Sequence, residues 1–255
     1  MIEIKGLYAG YGEKKILKDI NFSCKGGEIT VIIGPNGCGK STLLKNMVGL
    51  VQRTSGEIFV EGKAMEEYSA KELARNISYL PQNKKVTEIT VLKMVLHGRF
   101  CYLNYPRKYS RKDMEIAMQA LRDTGLEEYA HESVSKLSGG MQQKVHLAMA
   151  LAQDTKVILM DEPTTYLDIG WQLRLMGMVK QLAEKGKSLV LVLHDLAQAL
   201  QVADQVLVME KGQMVQMGTP EEIVESKILS KVFGIEPAKV LIREKQYYVM
   251  TDLQL

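Results

Sequence analysis

The chain reads as an α/β protein with a parallel sheet at its centre, an antiparallel β layer near its start and a helical insertion in its middle. Three observations carry that reading. Residues 34–42, GPNGCGKST, lie between the strand-like run EITVII (28–33) and a plausible helix, STLLKNMVGL (41–50). Two buried-strand runs, VILM (157–160) and SLVLVL (188–193), flank a helical segment over 169–185 that ends before Gly186. A strand, a helix and a second strand imply a parallel pair. Between about residues 91 and 152, strand-like runs disappear and helical spacing takes over.

In chain order, IEIKGLYAGY (2–11) and ILKDINFSCK (16–25) read as short strands separated by Gly12-Glu13-Lys14-Lys15. A third strand is expected at EIFVEGK (57–63), with Gly56 and Gly62 as punctuation. Residues 70–77 fit a short helix and ISYLPQ (77–82) a strand. In RKDMEIAMQALRDTGL, Met114, Ala117, Met118 and Leu121 recur at helical intervals, and Gly125 stops the run. Residues 83–155 are therefore read as a mostly helical subdomain. QVLVM (205–209) and MVQMG (214–218) form a predicted hairpin around 210–213. Beyond residue 225 there remain two weak strand candidates, AKVLI and QYYVM, and no legible chemistry. The division expected is a main domain over 1–225 and an extension over 226–255.

Of the 255 residues, 46% are hydrophobic and 25% charged, which supports an ordinary core. The net charge of +3 is too small to argue for nucleic acid. Cys24, Cys38 and Cys101 have no metal or disulfide spacing, which suits a reducing compartment. The longest strictly apolar run is six residues (147–152), whereas a membrane-spanning helix needs about 20. No leader pattern follows Met1. The expectation is a soluble protein, or one held at a membrane by a partner.

The glycine-rich segment is a phosphate cradle. Gly34, Gly37 and Gly39 let backbone N–H groups, including those around Asn36 and Cys38, approach phosphates closely. Lys40 can reach the β- and γ-phosphates, and Ser41, followed by Thr42, places a hydroxyl where Mg²⁺ would sit. A nucleoside triphosphate is the implied ligand. Asp161 and Glu162 follow the apolar strand VILM, at the carboxyl end where open α/β sheets bind ligands. Beside the cradle they suggest one metal carboxylate and one water-polarising carboxylate; standing alone they would fit a solvated turn before Pro163. His194 ends the run SLVLVL. It could donate to a γ-phosphate or hold the water-polarising carboxylate, or it could be a strand-end histidine with no role. In LSGGMQQ (137–143), Ser138 is a natural N-cap, and Gly139 and Gly140 leave N–H groups open. This is either a second anion-binding helix start or an ordinary cap.

Phosphate loop, LSGG, a DEP within the next 25 residues and a lone strand-end histidine together resemble the ATP-binding cassette (ABC) family, over about residues 1–225. The resemblance implies ATP and Mg²⁺ as ligands and a nucleotide-binding domain fold. It implies that Tyr11, in GYGEKKIL, stacks on adenine, and that Gln82, in YLPQ, contacts Mg²⁺ and the attacking water. Asp161 would hold Mg²⁺, Glu162 would be the general base, His194 the switch histidine, and Asp168 the aspartate that crosses a dimer interface. Ser138, Gly139 and Gly140 would bind the γ-phosphate of ATP held by a second copy, so that two chains sandwich two ATP molecules head to tail. Met141 departs from the usual Gln or Glu. Cys38 is read as a small filler, reactive only if exposed.

Three classes are compatible with these motifs: the separate ATPase subunit of a membrane importer, a soluble cassette protein acting on ribosomes or DNA, and an unrelated phosphate-loop kinase or GTPase. A GTPase should carry Asn-Lys-x-Asp; residues 83–86 read Asn-Lys-Lys-Val and lack the aspartate. The soluble class usually resembles two cassettes, or one split by a coiled coil, and neither is visible. Four of the chain's 16 aromatics (Phe100, Tyr102, Tyr105, Tyr109) crowd into ten residues among Arg99, Arg107, Lys108, Arg111 and Lys112. That is an interface-like composition, though base stacking or plain helix packing would use the same residues. The family context favours a transmembrane permease subunit docking between two lobes, with an extracytoplasmic solute-binding protein acting indirectly and no nucleic acid. VLHGR (95–99), EPTTYLDI (162–169) and LHDL (193–196) resemble the importers of iron–siderophore, haem and cobalamin. The expected location is the cytoplasmic face of the cell membrane.

Overall fold

The structure, a computed structural model, describes residues 1–82 and 88–252. The Asn-Lys-Lys-Val stretch and the first residues of the 83–155 segment lie outside the described residues.

Strands β1 (Ile2–Tyr11) and β2 (Lys14–Cys24) form an antiparallel hairpin. Strand β3 (Ile29–Ile33) runs into the glycine loop, and helix α1 (Lys40–Met47) leaves it. Strands β4 (Arg53–Val60) and β5 (Lys63–Ala64) complete a four-stranded sheet in the order β2-β1-β4-β5. The third strand thus starts at Arg53, four residues before the expected start, and Gly56 lies inside it. The reason is a close crossing of two backbones: a Cβ at Gly56 would stand 2.3 Å from Gly6 O, and its φ is +93°. Only glycine lets the irregular β1–β4 pairing continue past that point.

Helix α2 (Ala70–Asn76), capped by Ser69, leads to β6 (Ile77–Leu80). This strand ends before Pro81, which has no N–H to give a ladder. Helices α3 (Val91–Leu96), α4 (Arg111–Asp123) and α5 (Gly139–Ala152) follow, then β7 (Val157–Asp161), α6 (Ile169–Glu184) and β8 (Ser188–Val192). Helix α7 (Leu196–Val202), the hairpin β9 (Gln205–Glu210) and β10 (Gln213–Gly218), helices α8 (Pro220–Glu225) and α9 (Ile228–Phe233), and the hairpin β11 (Ile235–Ile242) and β12 (Lys245–Asp252) complete the chain.

The central sheet has six strands in the order β10-β9-β3-β8-β7-β6, all parallel except β10. Strands β3, β7 and β8 are buried along their whole length, as a sheet covered on both faces requires. Alternate residues serve opposite layers. Ile32, Leu159, Val190 and Leu207 pack with α1 and the antiparallel sheet. Val31, Ile158, Leu191 and Val208 pack with Leu175 and Val179 of α6 and Leu200 of α7. A third, separate core belongs to the helical lobe, where Val91, Val95, Ala117, Leu121, Val145 and Ala148 meet.

Helices α7, α8 and α9 were not anticipated from sequence. The signals of α7 and α8 are capping residues rather than long apolar periods, and α9 has no side-chain cap at all. Asp195 caps α7, and Thr219 with Pro220 and Glu222 forms a capping box with proline in the first turn of α8. The terminal hairpin is tied to the main body by Tyr248, whose ring is buried and whose hydroxyl donates to Glu221 Oε1 at 3.1 Å. Among the described residues, no helix is long and apolar enough to cross a membrane.

Candidate active site

The carboxyl ends of β3, β7 and β8 converge on one cavity of about 440 Å³. It is lined by Asn36, Gly37, Gly39, Lys40, Ser41 and Thr42 from the loop, Gln82 from beyond β6, Glu162 and His194 from the strand ends, and Ile16 from β2. Gly39 caps α1 with φ +108°, a left-handed turn that aims the helix start at the cavity. The Lys40 side chain is buried, and its Nζ donates to Gly34 O at 2.7 Å and Pro35 O at 3.1 Å. Gly34 and Cys38 support the loop from behind rather than line the cavity. A Cβ at Gly34 would collide with Met209 O, and Cys38 is buried with its thiol pushed up by burial. The cysteine is therefore a filler, not an exposed nucleophile.

The acidic pair is split between two tasks. Asp161 is buried at the end of β7, where it accepts from Ser41 Oγ at 3.0 Å and from the Tyr79 hydroxyl at 3.3 Å. Burial raises its carboxyl above the usual range; the Ser41 hydrogen bond opposes this and the neighbouring Glu162 charge adds to it. Glu162 turns the other way. Its φ is +51°, an uncommon backbone state for a residue with a side chain. The turn presents the carboxylate to the cavity, with Oε2 accepting from Gln82 Nε2 at 2.5 Å and Oε1 2.6 Å from His194 Nε2. Three residues separated by 80 and 32 positions thus meet at one carboxylate.

Tyr79 was missed from sequence. It sits in β6 within ISYL, and a tyrosine in a strand carries no signal that its hydroxyl will reach a carboxylate on the neighbouring strand. Ile16, an apolar strand residue at the cavity's edge, was missed too. Tyr11, half exposed at the end of β1, does not line the cavity.

The second helix start stands apart. Ser138 caps α5 and accepts from Met141 N at 3.3 Å, but Ser138, Gly139 and Gly140 do not line the cavity. Gly139 and Gly140 instead back onto Tyr166, in the turn that leads to Asp168. Asp168 caps α6, accepting from Trp171 N at 2.9 Å. Met141 packs at the edge of the helical-lobe core.

The aromatic and basic stretch divides in two. Arg99 is 6% exposed, pairs with Asp113 Oδ1 at 3.0 Å, donates to Ala152 O at 3.0 Å and stacks over Tyr102 at 3.9 Å from the ring centre. The Tyr102 hydroxyl donates to Gln153 O at 3.0 Å. Arg99 is internal and Tyr102 half-buried against it, so of the open readings helix packing fits these two; the same composition serves a cation–π pair within the fold. Phe100 (48% exposed) and Tyr105 (97%) do face outward. Phe100, Lys71, His97, Leu103 and Arg107 line a groove of about 490 Å³ between α2 and the 97–103 turn.

The profile of the family described as ABC transporter matches residues 17–165, more than half of the chain. The chain belongs to the ABC transporter family. Within it, this chain is 41% identical to "Petrobactin import ATP-binding protein FpuD" of Bacillus anthracis, over 92% of this chain and 87% of that protein. It is 39% identical to "Iron(3+)-hydroxamate import ATP-binding protein FhuC" of Bacillus subtilis, over 89% and 85%. A solved structure described as "An inward-facing conformation of a putative metal-chelate type ABC transporter" superposes with TM-score 0.84 at 28% identity, covering 99% of this chain and 98% of that one. A bacterial ABC transporter cassette solved as a dimer superposes with TM-score 0.77 at 30% identity, over 86% and 99%. The chain is accordingly an ABC ATP-binding subunit, an ATPase that powers transport.

Proposed function

We propose that this ABC subunit drives import of iron–siderophore complexes, working as a head-to-tail homodimer on transmembrane permease subunits at the cytoplasmic face of the membrane. Solute would reach the permease through an extracytoplasmic binding protein. The observation that carries the solute class is the identity of 41% and 39%, nearly end to end, to subunits named for petrobactin and iron(3+)-hydroxamate import.

The chemistry follows from the cavity. The glycine loop cradles the ATP phosphates with backbone N–H groups, and Lys40 releases its carbonyl partners to neutralise the γ-phosphate. Ser41 and Asp161, a hydroxyl and a buried carboxylate 3.0 Å apart, are hard oxygen donors that suit Mg²⁺. They, with Gln82, would hold the ion, which when bound offsets charge on the β- and γ-phosphates. Glu162 accepts the proton of the attacking water. His194 and Gln82 hold its two oxygens, so their hydrogen bonds orient the base and report on the γ-phosphate. Ser138 and the N–H groups of Gly139 and Gly140 engage the ATP of the partner chain, with Asp168 near the same interface and Tyr11 against adenine. Closure is then driven by contacts made to ATP and lost with ADP. The groove lined by Phe100, His97 and Arg107 is the docking surface for the permease.

The test is genetic. Deleting the gene should abolish uptake of ⁵⁵Fe-labelled siderophore, and Glu162→Gln should not restore it. Normal uptake of every ferric siderophore supplied would contradict the proposal.

A further inference from the structure

The phosphate cradle and the second helix start lie in different lobes, yet one buried contact joins them. Gln143 sits one turn into α5, is 5% exposed, and its Nε2 donates to Pro163 O at 2.8 Å. Pro163 is the residue after Glu162. The same face of α5 makes two further contacts with the segment that follows. Gly140 lies so close to Tyr166 that a Cβ would be 2.8 Å from its carbonyl oxygen, and Lys144 Nζ stands 4.0 Å from the centre of the Trp171 ring. Residues 140, 143 and 144 therefore clasp 163–171 to the helix that begins at Ser138.

We infer that Gln143 is a positioning residue that transmits engagement of the Ser138 helix start to Glu162. The inference rests on the reading of Glu162 as the general base. The Glu162 backbone is held on the sheet side by its N–H, which donates to Val192 O at 3.2 Å. On the other side, the next carbonyl is held by Gln143. A tilt of α5 pulls on Pro163 and so reorients a carboxylate whose backbone already sits at φ +51°. Engagement of the partner's ATP at Ser138 thereby sets the geometry of the base acting on the chain's own ATP. Pro163 O is buried against Gln143, so loss of the donor leaves an acceptor unpaired rather than hydrated.

Gln143→Met keeps the volume and removes the donor. In the full chain, its kcat for ATP should fall at least tenfold, with KM and the Kd for a fluorescent ATP analogue within twofold of wild type. A merely structural role would lower thermal stability and ATP affinity along with kcat. The second readout is a double-mutant cycle with Ser138→Ala. If Gln143 relays that contact, Ser138→Ala should reduce kcat much less in the Gln143→Met background than alone. Equal fold-losses in the two backgrounds, or a Gln143→Met kcat within twofold of wild type, overturn the inference. Glu162→Gln measured alongside separates the two readings. An inactive Glu162→Gln beside a normal Gln143→Met removes only the relay, whereas an active Glu162→Gln removes the base assignment on which it rests.

Discussion

The molecule contains two glycine-opened helix starts, and they are furnished very differently. At α1 the loop is met by Lys40, Ser41, Glu162, Gln82 and His194 around one cavity, with Asp161 buried against Ser41, all drawn from four places in the chain. At α5 there is a serine cap and two glycines backed by Tyr166, and none of the catalytic groups lies there. Both can bind an anion. Only the first can do chemistry on it. The difference is what the proposed head-to-tail pair requires: a second start that supplies half of a site whose other half belongs to another chain.

The contrast can be broken or sharpened by substitution. The largest effect belongs to the furnished site: Glu162→Gln should lower ATP turnover by about 10²–10⁴-fold while ATP still binds, measured by phosphate release and equilibrium binding. Next comes the helical lobe's own integrity. Arg99→Ala leaves the buried Asp113 carboxylate, held below the usual range by Ser110 and Arg99 hydrogen bonds against its burial, without its charged partner. Breaking such a pair costs roughly 3–5 kcal/mol, and a denaturant melt should show it. Replacing Phe100 and Tyr105 with serine should leave stability and free-subunit turnover unchanged but weaken recruitment to permease-containing membranes by about tenfold or more, as loss of exposed interface anchors does.

The smallest effect concerns Asp161. Burial holds its carboxyl above the usual range, so the folded chain binds that proton more readily than the unfolded chain. Its contribution to stability is therefore present at low pH and lost as pH rises through the folded value. Asp161→Asn should raise the melting temperature of the nucleotide-free chain at pH 7 by a few degrees. Turnover should nevertheless be lost. An unchanged melting temperature would mean that the Ser41 and Tyr79 hydrogen bonds fully offset the cost of burial.

Much of this was legible in the sequence, for reasons that differ by residue. The phosphate loop, the strands around it and the Asp161–Glu162 pair are local patterns, and local patterns are carried by neighbouring residues alone. The strand at Arg53 was shortened in prediction because Gly56 reads as a terminator, whereas here it permits two backbones to cross. Residues alone left His194 undecided between a role and none. Its meeting with Glu162, 32 positions away, is a tertiary fact, and so are the reach of Tyr79 to Asp161 and of Gln143 to Pro163. Arg99 and Tyr102 were open to either reading because arginine beside an aromatic is the composition of an interface and of a stack within the fold alike.

The central claim is that each ATP is hydrolysed between the furnished start of one chain and the bare start of another. Mixing two inactive variants, Lys40→Ala and Ser138→Arg, tests it most directly. A head-to-tail pair of the two contains one intact composite site, so ATP hydrolysis should reappear on mixing, well above the sum of the separate rates. Hydrolysis that stays at that sum, with mixed dimers demonstrated by differential tags, would place both helix starts in service of a single chain's nucleotide and contradict the account.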